Sequence, residues 1–225
     1  MTRYGMGEQC KRGPGRPRDA KRAARRRAAI LRAAADCFAE HGFACTEVQT
    51  IADRLGIGKG TIYRYFPTKE ELFRETVTWC IERLGEHVTE TMDAFEDPID
   101  QICASVFAYI DFFTRNRESI PLLLLERTVL EEKPIYFQRY DVKVEEWKTR
   151  FQALIDAGKV RRMPVERITN VVSTLLYGTI LTNYLSGKDR SPREQAYDIL
   201  DVIFHGILNE AIEIRLPLAA GGGKA

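Results

Sequence analysis

Histidine is scarce. His41, His87 and His205 stand too far apart in sequence for a recognisable metal motif, and Glu86, His87 and Glu90 share one helix without a second histidine. No metal or other cofactor is therefore expected. Cys-x-x-Cys is absent: Cys10, Cys37, Cys45, Cys80 and Cys103 are an odd set, no signal peptide is recognisable, and they read as reduced thiols of a cytoplasmic protein. A nucleophile elbow, a phosphate-cradling glycine loop and a Ser, His and acid constellation are also missing, which argues against an enzyme. Ile168 to Leu185 carries no charge, yet Thr169, Asn170, Ser173, Thr174, Thr179, Thr182 and Asn183 interrupt it, so it reads as a buried helix rather than a membrane span. No segment alternates with a period of two, which argues against a sheet.

What remains is a chain of 225 residues with 44% hydrophobic and 29% charged residues, the balance of a globular protein. Its net charge of +2 conceals an asymmetry. Residues 1–27 hold ten Lys and Arg against Glu8 and Asp19, so that end carries +8 and the rest −6. A basic end on a mildly acidic body suggests a polyanionic partner, with a solvated tail as the alternative.

Apolar residues three and four apart recur from Asp19 onward, divided by Gly, Pro, Ser or Asp, and predict an all-α protein. The first helix is expected from about Asp19 to His41, with Ile30, Leu31, Ala34 and Phe38 inward, Gly42 as its stop and Phe43 folding back. Thr46 and Gln49 suggest a capping box for a short second helix with Val48, Ile51, Ala52 and Leu55 inside. Gly56 ends it. The third helix begins at Gly58 or Lys59 and has only Ile62 and Phe66 to bury before Pro67, so Lys59, Thr61, Tyr63 and Arg64 must form an outward, basic and aromatic face. Thr68 and Glu71 cap a long fourth helix. Two short helices joined by a glycine turn fit a helix-turn-helix, whose second helix enters the DNA major groove; a small hairpin with tyrosines covering core is the alternative.

The stretch FAEHGFACTEVQTIADRLGIGKGTIYRYFPTKEELF resembles the DNA-binding domain of the TetR (tetracycline repressor) family of bacterial transcription regulators. The resemblance runs from Ile30 to Phe73 and rests on Phe38, Glu40, Gly42 and Phe43, on Thr46, Val48, Ile51 and Ala52, and on the Gly56 to Glu70 core. It implies a homodimer that binds double-stranded DNA at a palindromic operator, with a three-helix DNA-binding domain and a larger helical ligand-binding and dimerisation domain. The implied segments are a basic arm (1–18), the helix-turn-helix domain (19–67), the ligand and dimer domain (68–216) and a tail (217–225).

Carried onto this sequence, the family pattern implies DNA contacts from Thr46, Lys59, Gly60, Thr61, Tyr63, Arg64, Tyr65 and Lys69. Arg64 is the base reader expected, since its fork matches guanine O6 and N7. Gly58 stands where the family commonly has Ser, and Glu47 would repel phosphate. Arg16 and Arg18 flank Pro17 in a Gly-Arg-Pro-Arg unit that resembles the minor-groove clamp of AT-hook peptides; a solvated tail is the alternative.

In the body, Asp97 and Pro98 open a helix in which Ile99, Ile102, Cys103, Val106, Ile110 and Phe113 form a stripe, while Phe107, Tyr109 and Phe112 leave little of its circumference polar. By resemblance this is the central helix of a ligand domain for an unknown small-molecule effector. Trp79, Val106, Phe113, Phe137, Trp147 and Tyr177 are candidate lining residues, with Arg83 and Arg127 as polar handles; filling of ordinary core is the alternative for each aromatic. The last two helices are the expected dimer interface. Thr174, Gly178 and Thr182 recur every four residues, and Ser191, Pro192 and Glu194 open a helix with Ala196, Ile199, Leu200, Ile203 and Ile207 inward. The function expected is a ligand-responsive repressor; the alternative is a DNA-binding regulator or chromosome-organising factor without a ligand.

Overall fold

The computed structural model describes residues 17–130, 135–187 and 190–207. Among these, every regular element is an α-helix: α1 Pro17–Cys45, α2 Val48–Arg54, α3 Lys59–Tyr65, α4 Lys69–Met92, α5 Pro98–Arg115, α6 Ser119–Val129, α7 Ile135–Asp156, α8 Val165–Ser186 and α9 Pro192–Ile207. An N-terminal helical bundle leads into a larger helical body. None of the described helices is long and apolar enough to cross a membrane. Arg16, the side chains of Arg18, Arg127, Phe137 and Ile207, and residues 217–225 lie outside the described residues.

α1 starts at Pro17, two residues before the expected Asp19, because a first-turn proline loses no hydrogen bond that a helix start would make. Gly42 breaks its path at φ 73°, ψ 167°. Phe43 then turns back, with its ring 5.9 Å from Phe38 and 5.2 Å from Phe73. α2 is not capped as expected. Its N-cap is Glu47, which makes no side-chain cap bond, while Thr46 is 1% exposed with its hydroxyl 2.7 Å from the Gly42 carbonyl and 3.0 Å from that of Cys37. The Thr46 hydroxyl thus turns back to the end of α1 instead of forward to α2.

The other caps follow the sequence. The Thr68 hydroxyl accepts from the Glu71 N–H at 3.0 Å, Asp97 accepts from Ile99 N at 2.7 Å and Asp100 N at 3.2 Å, and Ser191 accepts from Glu194 N at 3.2 Å.

Two cores organise the chain. One, under α1 to α3, gathers Ile30, Phe38, Ile51, Ile62 and Phe66, and it continues through Leu72, Phe73, Val77 and Cys80 of α4 to Leu122 of α6. The other surrounds α5, whose residues from Ile102 to Phe113 are all buried, between α4, α7, α8 and α9. α6 belongs to both. Ile120 sits in the body core and Leu122 in the N-terminal one. The sequence reading did not single out this helix, because four consecutive leucines have no helical period.

Candidate DNA-binding face and body cleft

α2 and α3 are joined by four residues, Leu55 to Gly58, with Gly56 at φ 62° in the left-handed region that other side chains resist. The seven-residue α3 is held by Ile62, fully buried, and by Phe66 at its C-cap. Everything else on it is available to the surface. Lys59, Gly60 and Arg64 are exposed, Tyr63 is 38% exposed, and Thr61 and Tyr65 are half-buried. The Lys59 ammonium lies 5.7 Å from the Tyr63 ring centre and the Arg64 guanidinium 5.7 Å from that of Tyr65. Both cations rest on aromatic rings of the same helix, which limits their wandering before any partner arrives. A Cβ at Gly58 or Gly60 would meet nothing within 4 Å. The subunit itself has no steric need for either glycine.

The remaining predicted residues divide. Lys69 is half-buried, donating to the Ala44 carbonyl at 3.1 Å with its ammonium 4.6 Å from the Phe43 ring, so it braces the Phe43 turn beside the face. Thr46 does not join the face: its hydroxyl is engaged inside and its N–H donates to the Gly42 carbonyl at 3.2 Å. One arginine was missed. Arg27 of α1 pairs with Glu75 of α4 and stacks 5.3 Å from the Phe66 ring, tying the first helix to the end of the third. No local pattern announces a pair 48 positions apart.

In the body, six of the predicted pocket residues have described side chains: Trp79, Arg83, Val106, Phe113, Trp147 and Tyr177. Arg83 lies over Trp79 at 4.7 Å and Phe112 at 5.7 Å, a stack between α4 and α5. Val106 is core, Trp147 packs with Phe151 at 6.4 Å, and Tyr177 is partly buried against the same core. Burial raises the Tyr177 hydroxyl pKa, and the Glu126 carboxylate raises it further. Of these six, Phe113 lines a cleft in the body. That cleft opens between the ends of α5 and α8 and the starts of α6 and α9, with a floor of Ile110, Phe113, Ile120 and Ile180. Arg117, Asn183, Arg190 and Gln195 contribute its polar side. Trp79 packs against the N-terminal core, and Trp147 and Tyr177 against the body core.

Among the described residues no group of three His, Cys, Asp or Glu is placed to hold a metal. His87 instead meets the buried Asp111 at 3.2 Å, and Arg115 donates to the other Asp111 oxygen at 2.8 Å, joining α4 to α5. Cys37, Cys80 and Cys103 are buried thiols and Cys45 is exposed. Burial pushes the Cys80 thiol up to about 11, well away from reactivity at neutral pH.

Residues 30–76, spanning α2, α3 and the adjoining parts of α1 and α4, match the model described as bacterial regulatory proteins, tetR family. The DNA-binding segment of the chain is thus a tetR-family segment. The uncharacterized HTH-type transcriptional regulator YhgD of Bacillus subtilis is 32% identical over 97 residues, a match that spans 43% of this chain and 51% of that protein. The HTH-type transcriptional repressor KstR2 of Mycobacterium tuberculosis is 23% identical over 191 residues, covering 83% of this chain and 95% of its own. The solved structure of KstR2, described as a ketosteroid transcriptional regulator, superposes with a TM-score of 0.66 at 22% identity over 82% of this chain and 96% of its own. A putative transcriptional regulator from Saccharomonospora viridis, solved in complex with choline, gives 0.69 at 17% identity over 83% and 100% of the two chains. The likeness of fold to these regulators thus extends well past the matched DNA-binding segment into the body.

Proposed function

We propose that this protein is a ligand-responsive repressor of the tetR family that binds a palindromic operator as a homodimer. The observation that carries the proposal is the α3 face, where Lys59, Gly60, Thr61, Tyr63, Arg64 and Tyr65 stand together on a helix with only Ile62 buried within it. A helix so placed delivers base-reading side chains to a major groove, with Lys69 positioned for the backbone beside it. Arg16 and Arg18 extend the reach into the neighbouring minor groove. As a regulator that must meet chromosomal DNA, the protein works in the cytoplasm.

Dimerisation uses α8 and α9. Val171, Leu175 and Leu185 of α8 and Tyr197 and Val202 of α9 are exposed at 37% or more, a concentration of apolar surface that a partner would cover. Two helices from each subunit make a four-helix interface. An effector then acts through unequal affinity for the DNA-competent and DNA-incompetent separations of the two α3 helices. The names of two relatives, a ketosteroid regulator and a choline complex, support a ligand of some kind while pointing to unlike chemistries.

Selection of bound sequences from random DNA duplexes tests the reading. The expected product is a palindrome with half-sites about one helical turn apart or a multiple of it. Recovery of unselected DNA would remove sequence-specific regulation. A thermal-shift screen of metabolites and drugs, followed by operator release, tests the effector; if no compound releases the operator, the protein acts constitutively.

A further inference from the structure

The body cleft has a chemistry of its own. Its floor is apolar: Ile110, Phe113, Ile120 and Ile180 are each no more than 6% exposed. Its charged lining consists of Arg117 and Arg190, with no carboxylate among the lining residues. Arg190 is already committed, with its guanidinium 2.6 Å from Asp198. Arg117, which is exposed at the mouth, pairs with no carboxylate among the described residues. The amides of the lining are linked in a chain: Asn183 donates to the Gln195 oxygen, and the Gln195 nitrogen donates to the Arg190 carbonyl at 2.8 Å. Gln195 is 4% exposed, so this polar wall is fixed in place.

We propose that this cleft binds a small monocarboxylate with a compact apolar body, the body lying on the isoleucine and phenylalanine floor and the carboxylate on the Arg117 guanidinium. The proposal rests on the ligand-responsive reading above and gives its effector a chemical class. A guanidinium fork offers two parallel donors to a carboxylate, and the apolar floor supplies the burial that a bare inorganic anion could not use. Size restricts the choice further. The enclosed space is only about 30 Å³, so the ligand must be small and its entry has to push floor side chains such as Ile120 apart.

Position makes the cleft suitable for control. Ile180, Asn183 and Tyr184 lie on the side of α8 opposite Val171, Leu175, Gly178 and Thr182, because a helix turns about 100° per residue. A ligand there does not compete with the proposed partner subunit. Ile120 of the floor begins α6, and two residues later Leu122 enters the core beneath the DNA-binding helices. A ligand that displaces Ile120 moves a helix seated in both cores.

The test uses the full chain, its selected operator, and hexanoate, octanoate, benzoate and phenylacetate, each beside its neutral primary amide. Calorimetry and release of a fluorescent operator are the readouts. At least one acid should bind and release the operator, with its amide about tenfold weaker or more. Arg117→Gln should lower affinity for that acid by about tenfold, leaving amide binding and ligand-free operator affinity unchanged. Arg117 is exposed, so the variant keeps the core intact. The proposal is overturned if no acid binds, if the amide matches its acid, or if Arg117→Gln binds the acid as well as the parent does. A neutral or cationic compound that releases the operator where every acid fails would leave ligand response standing without the carboxylate. A broad screen with no releasing compound would remove both.

Discussion

Arg54, the last residue of α2, donates to both carboxylate oxygens of Glu40 on α1, at 3.2 and 2.6 Å. This fork fastens the first helix of the helix-turn-helix to the helix behind it. The hydrogen bond from Arg54 lowers the Glu40 pKa, so the contribution is fully present above the unfolded carboxyl value of about 4.3 and fades as pH falls through the folded value. Glu40→Gln should therefore be less stable than the parent near neutrality, and the difference should close in acid. Urea midpoints of both proteins between about pH 3 and 7 check this; a gap independent of pH would assign the pair no role in acid lability.

Ile62 is the single buried residue within α3. Ile62→Ala should cost about 2–5 kcal/mol, since it opens a void where a seven-residue helix has no second anchor inside it. Operator binding should fall with it. Denaturant unfolding gives the first quantity and fluorescence anisotropy the second.

Arg64 and Lys69 should fail in different ways. Arg64→Ala should relax preference at one base position per half-site and cost about 1–3 kcal/mol for the bidentate pair it can no longer form. Lys69→Ala should weaken all DNA sequences alike, and it also removes the brace to the Ala44 carbonyl. Identical selected sites for Arg64→Ala and the parent would show that Arg64 does not read bases.

A Cβ at Gly178 meets nothing within 4 Å in the subunit, so a side chain there finds room until a partner arrives. Gly178→Trp should consequently fold but shift the light-scattering mass from dimer to monomer, with operator affinity falling because a monomer engages one half-site only. A tight Gly178→Trp dimer would place the interface elsewhere.

Removing residues 1–18 should leave the dimer folded and flatten the plot of log K against log salt by roughly 0.9 for each phosphate no longer neutralised. The preference for A·T pairs flanking each half-site should fade while the central bases stay specified. Unchanged slope and flanks would reduce Arg16 and Arg18 to a solvated tail.

The parts that were legible in the sequence are those written in local contacts. Thr68, Asp97 and Ser191 cap through residues two or three positions away, and Ile62 and Phe66 follow a helical period. Thr46 misled because its hydroxyl donates back to the Cys37 and Gly42 carbonyls of α1 instead of accepting from the helix ahead of it. The pair of Arg27 with Glu75 and the meeting of Arg117 with the α8 and α9 residues depend on how whole helices pack, and no spacing along the chain encodes them. The aromatic residues around α5 were visible, but composition does not say whether they surround a space or fill it.

The placement of Leu122 bears on how such proteins can be recombined. The core beneath α1 to α3 is closed by Leu72, Phe73, Val77 and Cys80 of α4 and by Leu122 of α6, all lying beyond Pro67. A DNA-binding head cut at that proline and grafted onto another body would arrive without its underside. Cassette exchange between relatives therefore has to follow the packing rather than the chain: the transplanted unit is the three N-terminal helices together with the first half of α4 and the matching surface of α6.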